Sequence, residues 1–253
     1  MTRHFRVALW ILASLWPGLL LAEELRWGFG PADGMPYVDV SDHALLGGFI
    51  QRLGERIAKE LSVQVRFVET PNKRVEESLK SGRIHLICNA NPEWMMDAST
   101  YHWSPPLFEE EDALLQHRDS PTIAGLGDLR GKVVGTSLGY AYSMPLMEAF
   151  ANNLVVRKDV RDLDTRLNLL SRKRLDAVID MRRALTYELA LHPNPVVVFS
   201  PWVVDRYPLH CAYGSHLPLS AERLDAALQN LRDSGELDHL LQGEQRRAGL
   251  QDR

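Results

Sequence analysis

The chain has 253 residues, a net charge of -4, 45% hydrophobic residues and 25% charged residues, an ordinary globular composition. Its 29 Lys and Arg are outnumbered by 33 Asp and Glu and are scattered, which excludes an electrostatic nucleic-acid surface. The length accommodates one large domain or two lobes of about 100 residues each.

The first 22 residues read as a targeting segment. Arg3, His4 and Arg6 precede an apolar run from Val7 to Leu21, which ends in Leu20-Leu21-Ala22. A charged start, an apolar middle and a small residue at the end make a secretory signal, with cleavage expected after Ala22. The run falls short of the ~20 residues of a membrane span, and Pro17-Gly18 interrupts it. An uncleaved anchor is the alternative. No Cys lies near the cleavage point for lipid attachment, so a soluble periplasmic protein is expected. Cys88 and Cys211 are the two cysteines. In an oxidising compartment they form a bridge or stay as two buried thiols, and both readings remain open.

After the signal, Leu25 to Phe29 reads as a strand and Gly30 to His43 as a loop. Leu46, Phe49, Ile50, Leu53, Ile57 and Leu61 recur at helical spacing. Val63, Val65 and Phe67 alternate as a strand. Val75 to Lys80 is a helix, Ser81-Gly82 a turn, and Ile84 to Cys88 a short apolar strand. A polar loop follows, Asn89-Ala90-Asn91-Pro92-Glu93-Trp94, and then Trp103-Ser104-Pro105-Pro106-Leu107-Phe108. This βαβαβ rhythm predicts an α/β layer structure with a mostly parallel sheet. The acidic, then Pro-broken stretch Glu109 to Thr122 reads as a crossing into a second lobe, where the rhythm restarts. Lys132 to Val134 is a strand, Gly135 to Tyr140 a turn opening a helix, and Ser143 to Asn152 helical. Leu154 to Val156 is a strand, and Thr165 to Ser171 a helix with Asp164 as its cap. Ala177 to Ile179 is a strand and Arg182 to Leu191 a helix. Val196 to Phe199 and Leu209 to Tyr213 are strands leading back, and Ser220 caps a final helix.

Several residue groups carry chemistry. Lys73 and Arg74 follow the second strand; they meet an anionic group or form a solvated basic turn, Arg being the better fork. Asn89 and Asn91 bond a ligand or their own turn. Gly135-Thr136-Ser137-Leu138-Gly139-Tyr140 offers backbone amides to an anion. It also matches the G-x-S-x-G elbow of serine hydrolases, with Asp180 and His192, His210 or His216 in a suitable chain order. The nine His show no metal-binding spacing, and no metal or other cofactor is expected.

The order of these segments over about 220 residues resembles the family 3 periplasmic solute-binding proteins. Gly48-Phe49, Gly82, the run Asp128 to Gly135 and the C-terminal helix stand in sequence order, with the Asn89 to Phe108 region at their centre. The resemblance implies a type II periplasmic binding-protein fold of two lobes, each a mostly parallel sheet flanked by helices, with a ligand cleft between. Residues 23–108 and 206–253 form lobe 1, residues 109–205 form lobe 2 with hinge strands, and residues 1–22 are the signal. In that fold the strands of Cys88 and Cys211 both belong to lobe 1. The family's carboxylate-clamping Arg corresponds to Trp94. Its aromatic after the first strand falls at Gly34, its second aromatic at Asn72, and its ammonium-binding acid at Met181, one place after Asp180. Trp offers one N–H and a large π face, which suits a ring, an apolar group or a cation.

The expected function is therefore capture of a small molecule by lobe closure, the ligand not being a standard α-amino acid held in the usual way. The candidate ligand-binding residues are Trp94, Asn89, Asn91, Lys73, Arg74, Ser137, Gly139, Tyr140 and Asp180. The implied partner is an ABC permease or a membrane sensor, and the protein is expected to be a monomer without catalytic activity. An enzyme on the same scaffold, like the cyclohexadienyl dehydratases, is the first rival; Glu93, Asp180 and Lys73 would supply its general acid. The serine hydrolase is the second.

Overall fold

A computed structural model describes residues 23–247 and 249. The expected signal segment lies outside the described residues. The chain opens with β1 (Glu24–Phe29), whose Leu25, Trp27 and Phe29 point inward on alternate positions and are buried. A hairpin of β2 (Asp39–Ser41) and β3 (Ala44–Gly47) follows, where a loop and the start of a helix were expected. Leu46 is accordingly 59% exposed in β3 rather than on a helix face. Gly48, with φ 93°, turns the chain into α1 (Phe49–Leu61), which buries Phe49, Ile50, Leu53 and Ile57. Gly54 of this helix faces the sheet so closely that a Cβ would stand 2.7 Å from Phe67 Cε1.

Next come β4 (Gln64–Glu69), a 3-10 turn Asn72–Arg74, α2 (Val75–Lys80) and β5 (Leu86–Ala90). Asn89 and Ala90 thus belong to the strand rather than to the expected loop. Short turns Pro92–Trp94 and Ala98–Thr100 lead to β6 (His102–Trp103) and then to β7 (Phe108–His117). The acidic stretch expected as a crossing is therefore a ten-residue strand. Its charges hid it, yet it pairs with β11 along its length and with β10 from Asp112 to Gln116, which satisfies backbone groups that charged side chains do not. After β8 (Val133–Thr136) the chain runs through α3 (Met144–Ala151), β9 (Val156–Asp159), α4 (Leu163–Ser171), β10 (Ala177–Met181) and α5 (Arg182–Leu191). The cap of α4 is Asp162, not Asp164: its carboxylate accepts from the Thr165 N–H at 2.8 Å. The two expected return strands are one, β11 (Val197–Tyr213). Ser220 caps α6 (Ala221–Asp233) as expected, but a further helix α7 (Glu236–Arg247) follows a break at Gly235, φ 73°.

The strand order is β4-β1-β5-β11-β7-β10-β8-β9, with β6 also on β11. At one end β4, β1 and β5 run parallel and β11 closes them antiparallel; at the other end β9, β8 and β10 run parallel and β7 closes them antiparallel. These are the sheets of two lobes. Among the described residues only β7 and β11 extend through both, paired to each other from Val197↔His117 to Leu209↔Phe108 with register shifts between Phe199 and Asp205. Both faces of the inner strands β5 and β10 are covered, as parallel sheets require. Along β10, Ala177, Ile179 and Met181 face one apolar cluster and Val178 faces another. Cys88 of β5 and Cys211 of β11 are joined in a disulfide, 123 residues apart in sequence.

Near the start of β7 the lobes are tied by charge. Glu110 of β7 accepts from the Tyr37 hydroxyl of lobe 1 and from Arg183 of α5, at 2.7 Å in the second case. Glu111 is paired with Arg182 and, at 3.0 Å, with Arg206.

Candidate functional site

The carboxyl ends of β1, β5, β8 and β10 converge between the lobes, where α/β folds collect ligands. They surround a cavity of about 80 Å³. From lobe 1 it is lined by Gly30 and Asp33 after β1, by Asn72, Val75 and Glu76 around α2, and by Ile87, Asn89, Ala90, Trp94 and Met95. From lobe 2 it is lined by Gly139, Tyr140 and Ala141. Trp94 and Gly139 also border a wider outer groove with Lys73, so the indole stands between the interior and the mouth.

Trp94 is held at the end of a 3-10 turn that Asn91 builds. The Asn91 Oδ1 accepts from the Glu93 N–H at 2.8 Å, and its Nδ2 donates to the Pro208 carbonyl of β11 at 2.9 Å. Both ends of Asn91 are thus committed to positioning the loop. The Trp94 ring lies 5.1 Å from that of Tyr140 and 5.1 Å from that of Tyr207. Tyr140 and Tyr207 share a hydroxyl–hydroxyl bond of 3.0 Å, and Tyr207 donates to Asp112 at 2.7 Å. Burial raises the Asp112 carboxyl well above the usual range, the Tyr207 bond opposing it.

Asn89 is buried at the strand end with φ 60°, a left-handed conformation that asparagine tolerates better than most residues. Its Nδ2 donates to Asp33 Oδ2 at 3.0 Å, and its Oδ1 has no partner among the described residues. Asp33 went unnoticed in the sequence beside Gly34; the cue is its place in the Gly30 to Gly34 turn at a strand's carboxyl end. Burial raises its carboxyl to about 7, the Asn89 bond opposes this, and the charge of Asp180 adds to it.

The remaining candidates are distributed unevenly. Lys73 is exposed and lies against Gly139 of the other lobe: a Cβ on Gly139, whose φ is 77°, would stand 2.8 Å from Lys73 Cγ. Arg74 is exposed and is not among the residues lining the cavity or the groove. Asp180 is buried in an ion pair with Arg166 of α4 at 2.6 Å, and its other oxygen accepts from the Met181 N–H. Arg166 itself is fully buried and donates to the Ile179 carbonyl.

Ser137 is also buried, with an Oγ lacking a partner among the described residues. Its N–H donates to the Tyr142 hydroxyl, and its carbonyl accepts from Arg157. The expected helix start at Gly135 to Tyr140 is corrected: Gly135 and Thr136 end β8 and α3 begins only at Met144, so Ser137 to Tyr140 is a loop without helix-end amides. The elbow reading loses its context with it. His192 pairs with Glu188 on α5, His210 with the Ser104 carbonyl, and His216 packs on Gly82; none meets Ser137. Among the described residues no three His, Cys, Asp or Glu side chains come together to hold a metal, and no helix is long and apolar enough to cross a membrane.

Comparison with known proteins agrees with this architecture. Residues 30–243 match the family model for bacterial extracellular solute-binding proteins, family 3. A probable histidine-binding protein of Campylobacter jejuni is 26% identical over 151 residues, 60% of this chain and 58% of the relative. This chain thus spans just over half the length of that curated relative. Among solved structures, an ancestral arginine-binding protein bound to arginine superposes with TM-score 0.75 at 23% identity, covering 88% of this chain and 99% of that one. The GluR0 ligand-binding core with L-glutamate gives 0.73 at 18%, covering 90% and 99%. An ancestral amino acid-binding protein, a precursor of cyclohexadienyl dehydratase, gives 0.70 at 21%, covering 87% and 95%. At these identities the structures establish the fold, and the family match establishes membership: the chain belongs to the family 3 bacterial extracellular solute-binding proteins.

Proposed function

We propose that this protein captures a small molecule in the cavity between its lobes and releases it by reopening, the closed form being selected by cargo. Bending is assigned to β7 and β11, the strands common to both lobes. The reading carries the division into residues 23–108 with 206–253 and residues 109–205, a cleaved signal at residues 1–22, and a periplasmic monomer. It delivers cargo to an ABC permease or presents it to a membrane sensor.

One observation supports an unusual cargo. Trp94 occupies the loop where the resemblance puts a guanidinium, and its ring reaches Tyr140 of the other lobe. A bidentate Arg–carboxylate pair is strong and directional, and a carboxylate left unpaired in a closed cleft costs several kcal/mol. An α-amino acid held in the usual way is therefore disfavoured, although the relatives named above include amino-acid binders. A thermal-shift screen over aromatic, anionic and cationic metabolites tests this. Stabilisation by a cargo that Trp94→Ala no longer binds supports the reading, and stabilisation that this variant retains in full contradicts it.

Asp33 favours a second reading. A carboxyl raised to about 7 in a cleft suits a general acid at neutral pH, a better candidate than Glu93, Asp180 or Lys73. Turnover of prephenate or arogenate that Asp33→Asn abolishes would establish the enzyme; ligands that only stabilise the protein would exclude it.

A further inference from the structure

Resting on the capture reading, we propose that the cargo is an organic amine: a cation with an apolar or aromatic body and no carboxylate. The cavity presents acceptors in search of a donor. Asn89 is 7% exposed; its Nδ2 donates to Asp33 and, at 3.9 Å, to the Met181 sulfur, while its Oδ1 has no partner among the described residues. Asp33 stands beside it with a carboxylate oxygen on the Asn89 amide. A charged N–H group placed between them would satisfy both. Trp94 and Tyr140 supply aromatic faces alongside, which attract cations and pack on rings.

The cationic side chains nearby leave nothing to receive an anion inside. The residues lining the cavity include two acids, Asp33 and Glu76, and no Lys, Arg or His. Lys73 lies at the mouth against Gly139. Arg166 is held by Asp180, and Arg157 by Asp159 and the carbonyls of Ser137 and Tyr140. Glu76 is occupied as well, accepting from the N–H groups of Met96 and Asp97. Asp33, facing Asn89 with the charge of Asp180 behind, is the carboxylate left for an ammonium.

Protonation of that carboxyl sets a pH dependence. Asp33 ionises near 7, so a cation meets a neutral acid below that value and a carboxylate above it. Amine binding draws the proton off. The apparent Kd falls by up to about tenfold per pH unit as pH rises toward 7, then levels.

The test uses the mature chain and three pairs of probes: tyramine with tyrosine, histamine with histidine, and agmatine with arginine, followed by thermal shift and calorimetry at pH 5 to 8. At least one amine binds, its parent amino acid binds about a hundredfold or more weakly, and Asp33→Asn weakens the amine at least about tenfold. Circular dichroism of the unliganded variant verifies its fold. Equal or tighter binding of a parent amino acid, amine binding unaltered in Asp33→Asn, or no amine binding at all overturns the amine assignment. Capture itself fails only when a broad metabolite library also yields no ligand, so the two failures are distinguishable.

Discussion

The indole of Trp94 and the phenol of Tyr140 meet across the gap between the lobes with ring centroids 5.1 Å apart and planes tilted by 48°. One comes from the loop after β5 and the other from the loop after β8, so the contact exists only while the lobes are together. Tyr207, on the connecting strand β11, adds an edge contact to the same indole at 77°. Aromatic pairs contribute about 0.5–1.5 kcal/mol each beyond their burial. Trp94→Ala is expected to lower cargo affinity by about tenfold or more and to enlarge the radius of gyration of the unliganded protein in X-ray scattering. Its circular dichroism should match the parent. An unchanged affinity would show that this loop carries no recognition.

Asp180 separates a structural carboxylate from a binding one. It sits buried against Arg166, and removing one partner leaves the other charge uncompensated. Asp180→Ala is expected to cost about 3–5 kcal/mol, a fall in Tm of roughly 10 °C for a chain of this size. Arg166→Met combined with Asp180→Leu should recover most of that loss. If Asp180→Ala instead keeps its Tm and only loses cargo, Asp180 is a ligand contact and the ion pair is dispensable.

Asp33 links stability to pH in the opposite direction from a salt-bridged acid. Its folded carboxyl ionises near 7 against an ordinary 3.8. The stabilisation from its protonated form is complete below about 3.8 and is lost as pH rises through 7. Asp33→Asn should therefore raise the Tm of the empty protein at pH 8, by about 2–4 kcal/mol of stability, and leave it unchanged near pH 3.5. Calorimetric melts of both proteins across that range measure this. A gap that widens toward acid would contradict the assignment.

The disulfide joins neighbouring strands of lobe 1 while closing a loop of 123 residues. Replacing both Cys88 and Cys211 with Ser should cost about 2–5 kcal/mol, read as a lower urea midpoint. A midpoint unchanged from the parent would mean that the bridge contributes nothing to the native state's advantage.

Much of the architecture was legible because apolar spacing carried it. Val75 to Lys80 and Arg182 to Leu191 match the observed helices residue for residue. Where charge masked a buried strand, at Glu109 to His117, the reading failed, since its apolar stretch is only Ala113 to Leu115 and pairing to β10 and β11 completes its hold. The same segment hid Asp112, and the presumed gap after Phe199 hid Tyr207. Trp94, Gly139 and Tyr140 were found from motif position, and they line the cavity. Asp33 and the orphaned end of Asn89 were not, because a hydrogen bond between residues 56 apart leaves no local pattern.

The exclusion of the usual amino acids can be read in solution. Glutamine, histidine and arginine at millimolar concentration should give little thermal shift, whereas a ligand at a hundredfold excess over Kd adds about 2.7 kcal/mol.

The most direct test of the central claim is calorimetric titration of one identified cargo into the parent protein and into Trp94→Arg, which restores a guanidinium to the loop. Tight binding of a solute without a carboxylate by the parent, lost in the variant, is the predicted result. Tight binding of a free α-amino acid by the parent, through its carboxylate, would contradict it.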